Sequence, residues 1–232
     1  MSREIITSVV IALLVGIAVT VFAPPAQAGP PLVCWPFDIG TAKSLPWGGS
    51  SWHDAQPGYD TKQLAGDTLA LLTLDAPVLV RMETLRRAAI YSQRDPQAAK
   101  ELFSRLEERA ESAKSPDKPD PLALFDWGYF AETYRQVAGA SSLELAAKVD
   151  GYKLIQRALA LRGPDAQMEF AAALVAWVAG QHGISEKHLV NAAAGAADGS
   201  LLAKNLVTHC HLFQMHADTL RALRTQLVAM KK

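Results

Sequence analysis

Cysteine is scarce, with two in 232 residues, too few for a small disulfide-built scaffold. Neither sign of charge is in excess: 23 Lys and Arg stand against 23 Asp and Glu. That balance argues against a nucleic-acid binder, an acidic tail and a polybasic membrane anchor. The sequence contains no G-x-S-x-G, HExxH, Walker loop, C-x-x-C or C-x-x-C-H. The familiar hydrolases, zinc proteases, nucleotide binders, thioredoxins and c-type haem proteins therefore lose their warrant, while an enzyme with a dispersed site stays open. No cofactor signature is present. A hydrophobic fraction of 50% excludes disorder for the bulk of the chain.

A long apolar run is present at the start, Ile5 to Ala23. Pro24-Pro25 ends it, and Ala26-Gln27-Ala28 follows as an A-x-A site. This order predicts a secretory signal peptide over 1–28, cleaved after Ala28. An uncleaved anchor is the rival reading, because nineteen apolar residues approach the roughly 20 that span a bilayer. The expected location is periplasmic or extracellular, with membrane contact only through the signal segment before cleavage.

Residues 29–59 hold five of the 13 prolines and three of the five tryptophans, Trp35, Trp47 and Trp52. Proline excludes a helix interior and no clean period is visible, so an extended, irregular Pro/Trp-rich segment is expected. Two readings stand. Trp35, Phe37, Ile39, Leu45 and Trp47 pack between helices, or Trp47-Gly48-Gly49 and Trp52-His53-Asp54 form a surface recognition loop. The string Cys34-Trp35-Pro36-Phe37-Asp38-Ile39-Gly40 is the least ordinary in the chain and has no evident mechanism.

From Asp60 onward the punctuation is helical. Asp60 with Gln63 and Ser141 with Glu144 have capping-box spacing. Asp95-Pro96 and Asp120-Pro121 set an N-cap acid before a first-turn proline, and Gly163-Pro164 repeats the pattern with glycine as the cap. These signals predict helices near 61–74, 77–93, 96–113, 121–138, 142–162, 164–181, 185–197 and 200–230. Ala99, Leu102, Phe103, Leu106, Ala110 and Ala113 form one stripe; Leu202, Leu206, Cys210, Phe213, Ala217, Leu220 and Leu227 form another. The run 171–178 has no polar face and should be buried on most sides. Residues 115–119 read as a surface turn. The expected fold is all-α, stacked antiparallel helical hairpins over 60–232 preceded by the extended segment.

Pro96 and Pro164 lie 68 residues apart, twice the repeat of about 34 residues in tetratricopeptide proteins. Trp127-x2-Phe130-Ala131-x2-Tyr134 resembles the first helix of such a repeat, with Phe130 and Ala131 where that family has Leu and Gly. Ile155-x2-Ala158 before Pro164 resembles the end of a second helix. The likeness covers about a third of the chain after residue 28 and implies an α-solenoid with a concave binding face and no catalytic residue.

Cys34 and Cys210 form a candidate disulfide, with a buried free thiol at Cys210 as the alternative. His209, His211 and His216 are weak candidate metal ligands. His209 and His211 point about 200° apart on a helix, and His209 and His216 sit roughly 10 Å apart; neither pair has the i, i+4 spacing of a two-ligand helix site. Carboxylates in apolar contexts are Asp38, Asp67, Asp126, Glu132, Asp150 and Glu169, of which Asp126 and Glu132 flank aromatics that could edge a pocket.

The leading expectation is a non-catalytic exported scaffold for a protein or peptide partner, with Trp47, Trp52, Tyr129, Tyr134 and Tyr152 as binding side chains. The alternative is a small-molecule or metal-binding protein or enzyme, its pocket between the Trp-rich segment and the helices, where His53, Asp38 or the 209–216 histidines converge. A structural envelope component is the third.

Overall fold

The computed structural model describes residues 30–112, 119–138 and 143–230. The signal segment and its cleavage site, the Ser141 cap and most of the 115–119 turn lie outside them. Ten α-helices occur among the described residues. They are α1 (Leu64–Leu71), α2 (Val78–Gln93), α3 (Pro96–Ser112), α4 (Pro121–Val137), α5 (Leu143–Ala147), α6 (Gly151–Arg162), α7 (Ala166–Val178), α8 (His182–Gly195), α9 (Leu201–His209) and α10 (Leu220–Met230). The fold is all-α, with packed neighbouring pairs that include α7 on α8 and α3 on α4. No strand occurs among the described residues; one antiparallel bridge joins Trp47 to Ala55. None of their helices is long and apolar enough to cross a membrane.

Local chemistry sets most boundaries. Asp120 accepts from the Leu122 and Ala123 N–H groups, and Asp95 from those of Gln97 and Ala98, each with proline as the first helical residue. Asp60 also accepts from Lys62 N–H, but it starts a 3-10 turn, Thr61–Gln63, before α1. Three expectations are corrected. The helix expected over 142–162 is two helices, because Asp150 caps a new one by accepting from Lys153 N–H. The start of α7 belongs to Asp165, which accepts from Gln167 and Met168 N–H; Gly163, at φ 83°, closes α6 instead. The helix expected over 200–230 breaks after His209 into a 3-10 turn, Cys210–Phe213, and Gln214 at φ 58° turns the chain before α10.

Helix α2 is the hub. Fourteen of its sixteen residues are buried, with α1, α3, α4 and α7 packed around it and the 30–59 segment bonded along it. Its buried side chains include Arg81, Glu83 and Arg86. A different logic joins the other helices. Gly128 of α4 and Gly151 of α6 let two backbones touch: a Cβ at 128 would stand 2.6 Å from the Gly151 carbonyl oxygen, and one at 151 would stand 2.4 Å from that of Gly128. Of the α7 run expected to be buried over 171–178, Ala171–Ala176 is wholly buried, Trp177 is half-buried and Val178 is exposed, and Ser185 of α8 donates to Ala173 O at 2.7 Å across the α7–α8 contact. On α3, Leu102, Phe103, Leu106 and Ala110 are buried and Lys100, Glu101, Glu107 and Glu108 exposed, as the stripe requires.

Candidate functional site

The Trp-rich segment divides into a packed part and a presented part. Leu32, Val33, Phe37, Ile39 and Leu45 enter the core, and Trp35 and Trp47 lie half-buried against it. Polar side chains of α2 fix its backbone. Glu83 accepts from Phe37 N–H at 3.1 Å, Arg86 donates to Val33 O at 2.9 Å, and Arg87 donates to Leu45 O at 2.6 Å. Glu83 is also paired with both arginines, at 2.7 Å each. At the other end Asn205 of α9 bonds both backbone groups of Asp38, accepting from N–H at 2.9 Å and donating to O at 2.8 Å.

Residues 47–55 project as a small closed loop. Its neck is held by one hydroxyl: Tyr91 donates to Pro46 O at 2.6 Å and accepts from Gln56 N–H at 3.0 Å. Trp47 anchors the base, its ring 5.0 and 5.5 Å from the Arg86 and Arg87 guanidinium carbons, a cation–π geometry. Its indole N–H donates to Ser51 O at 2.9 Å. Inside the loop Gly48 N–H donates to Asp54 O at 2.8 Å, and Asp54 Oδ2 accepts from Ser51 N–H at 2.8 Å. That carboxylate occupies the space a side chain at Gly49 would need, 2.4 Å from an added Cβ. What the loop carries outward is Trp52, 38% exposed, and His53. Trp52 is the one exposed aromatic among the large exposed hydrophobic side chains of the described residues.

A groove opens elsewhere, between the Asp38 turn, α9 and the start of α10, with a volume of about 600 Å³. Ala203, Val207 and Leu220 provide apolar lining, and the exposed Asp38, Asp198, Asp218, Lys204 and Arg221 surround it. Its walls are held by the Asn205–Asp38 pair and by Thr219, whose hydroxyl accepts from Ala222 N–H at the start of α10.

The remaining expected site residues are dispersed. Tyr129 and Tyr134 are in the core, at 0% and 1% exposure, so neither offers a surface to a partner. Tyr134 packs on Phe103 and Phe130, and burial raises the Tyr129 pKa far above its ordinary value. Tyr152 is half-buried and bonded to His188 Nε2 at 2.8 Å, with His188 Nδ1 in turn 2.5 Å from Glu169. Gln156 donates to the Tyr152 oxygen at 3.1 Å. Glu169 accepts from Asn191 at 3.2 Å. Donor–acceptor bookkeeping then assigns neutral His188 a proton on Nδ1, leaving Nε2 to accept from the phenol. The order resembles a nucleophile–base–acid relay, but burial pushes the Tyr152 phenol up, away from an activated oxygen.

His209 is buried, stacked on Phe37 at 4.9 Å, with Nδ1 bonded to Asn205 O, and desolvation lowers its pKa. His211 bonds Thr208 O, and His216 is exposed. No group of three His, Cys, Asp or Glu side chains among the described residues is placed to hold a metal ion. Cys34 and Cys210 are separate thiols, the first half-buried and the second buried. Among the acids, Asp67 accepts from the Tyr59 hydroxyl at 2.7 Å, Asp150 caps α6, and Glu132 pairs with Arg135 and accepts from Gly151 N–H. Asp126 is fully buried beside Arg81 at 2.6 Å, and desolvation pushes its carboxyl up to about 6 against the pull of Arg81 and Arg109.

Sequence reasoning named Asp54 as part of the loop but missed Tyr91, Arg86 and Arg87, which hold it. One signal was available: Glu83 stands three and four positions before two adjacent arginines, on neighbouring positions of one helix face. In comparisons with known proteins, no family model, curated protein or solved structure matches this chain.

Proposed function

We propose that the protein works outside the cytoplasm as a non-catalytic helical scaffold that binds a segment of a protein or peptide partner in the groove between the Asp38 turn, α9 and α10. The observation that carries this is the groove's make-up, an apolar lining among exposed charges of both signs. A small-molecule pocket buries about 70–90% of its ligand. A trough open to solvent suits instead a longer chain that leaves at both ends and brings apolar, acidic and basic side chains of its own. Stacked hairpins in the tetratricopeptide manner are the finer form of the proposal, and the consecutive packed pairs are its support. The A-x-A segment over 26–28 supports export.

The test is a peptide-display selection on the purified protein, repeated on Val207→Glu, which puts a charge in the lining. The expected result is enriched peptides whose binding falls at least tenfold in the variant, with circular dichroism unchanged. No enrichment, or equal binding by both proteins, overturns the proposal.

A further inference from the structure

The 47–55 loop concentrates conformational constraint on an exposed side chain. A hydroxyl clamp closes its neck, a cation–π anchor fixes its base and a carboxylate bonds across its interior, all described above. None of these contacts buries Trp52. Its indole N–H makes no hydrogen bond among the described residues. A loop held this way loses little freedom on binding.

The surroundings of Trp52 identify what fits. A protein–protein hot spot is an aromatic set in a well-packed, water-excluding patch. Here the flanking residues are Gly48, Gly49, Ser50, Ser51, His53 and Asp54, and no other large apolar side chain from 47 to 55 is exposed. The His53 and Asp54 side chains are 65% and 33% exposed, with His53 Nε2 3.9 Å from Asp54 Oδ1. His53 Nδ1 is bonded to Ser51 Oγ at 2.9 Å, and the His53 ring stands edge-on to Trp52 with centroids 5.3 Å apart. A partly exposed indole beside an imidazole, a carboxylate oxygen and serine hydroxyls is a two-sided chemistry. It asks for a ligand with an apolar face, whose weakly positive C–H groups lie on the ring's negative quadrupole, and with hydroxyls around its edge that both donate and accept.

A pyranose ring has both. We propose that Trp52 is a carbohydrate-stacking platform, with Asp54 Oδ1, His53 Nε2 and the indole N–H bonding the sugar's hydroxyls, and that its ligand is an extracellular or cell-wall polysaccharide. This site shares no residue with the groove of the proposed function. One platform gives weak binding to a single chain, with a Kd on the order of 1 mM, and a polymer offering many rings tightens retention by avidity only where several protein copies are linked.

The test is an NMR titration of the purified protein, following the five indole N–H signals, with chito-, cello- and malto-hexaose and with solubilised peptidoglycan fragments as probes. Co-sedimentation with chitin, cellulose and intact sacculi accompanies it. The expected result is a shift of the Trp52 indole signal with at least one probe and the other four unmoved. Trp52→Ala should lose binding at least tenfold and Trp52→Phe should retain part of it, while Val207→Glu in the groove binds as wild type. No shift and no co-sedimentation with any probe overturns the proposal, as does binding unchanged in Trp52→Ala. A displayed peptide that moves the Trp52 signal when no glycan does overturns it too, and leaves the groove reading intact.

Discussion

The contact of α2 with the 30–59 segment and the contact of α7 with α8 bury chain by different means. Between α7 and α8 the buried surfaces are mostly alanine, leucine and serine, close-packed and held by van der Waals fit and the loss of water, with the part-buried bond of Glu169 to His188 and its exposed bond to Asn191 beside them. Along α2 the irregular segment brings unpaired backbone N–H and C=O groups into the interior, and Glu83, Arg86, Arg87 and Tyr91 supply their partners. An irregular segment has no ladder of its own, so its burial requires a helix that is polar where it is most enclosed. The first surface tolerates changes of shape in proportion to volume. The second fails when one member of a charged set is removed.

The comparison can be broken most severely at Glu83. Glu83→Ala leaves two guanidinium groups and Phe37 N–H without their acceptor, and should cost about 3–5 kcal/mol, measured by urea unfolding. Leu174→Ala on the apolar side should cost about 2–5 kcal/mol through the cavity it leaves. The two differ in kind: Glu83→Ala should raise hydrogen exchange over 32–46, and Leu174→Ala should not. Next comes Gly151→Ala, where the added Cβ meets the Gly128 carbonyl oxygen at 2.4 Å and the Glu132 side chain at 2.6 Å; a loss of about 1–3 kcal/mol is expected by the same measurement. Tyr91→Phe removes the clamp at the loop neck and should cost about 1–2 kcal/mol, with faster exchange confined to 46–56.

A pH dependence is expected from the buried pair of Asp126 on α4 with Arg81 on α2. Asp126 has a folded pKa of about 6 against an ordinary 3.8, the cause being desolvation. The folded state therefore holds its proton more tightly than the unfolded chain. The contribution to stability is fully present below about pH 4 and is lost as the pH rises through about 6. Asp126→Asn should remove that decline from a plot of Tm between pH 4 and 7. The smallest effect belongs to Trp52→Ala, expected to change stability by no more than about 0.5 kcal/mol, because the residue lies at the surface and outside the core cluster.

Cap chemistry was legible in the sequence because it is local: Asp95-Pro96 and Asp120-Pro121 mark α3 and α4 to within a residue. The α3 stripe and the buried α7 were legible for the same reason. The breaks at Asp150 and Gln214 were not, since apolar spacing continues across both. The 200–230 stripe thus belongs to two helices and a 3-10 turn. Helix α2 was expected over 77–93, but its burial was hidden because Arg81, Glu83 and Arg86 look like a solvated face until the 30–59 segment covers them. Tyr129 and Tyr134 were expected at a surface on aromatic character alone, which does not separate an anchor from a core residue. Trp47 and Trp52 are five positions apart and have opposite fates, decided by the arginines 39 and 40 residues beyond Trp47.

The partners that hold the opening segment stand far down the polypeptide. Phe37 waits for Glu83, 46 residues on, and Val33 for Arg86, 53 residues on. Leu32 waits for Gln136 at 104, and Asp38 for Asn205 at 167. A chain that emerges from its N-terminus first thus secures its earliest-made residues late. Until α9 exists the Asp38 end of the opening stretch lacks its partner, and such long-range closure is slow. The Asn205–Asp38 pair is in this sense a completion signal, formed only by a molecule that is nearly whole.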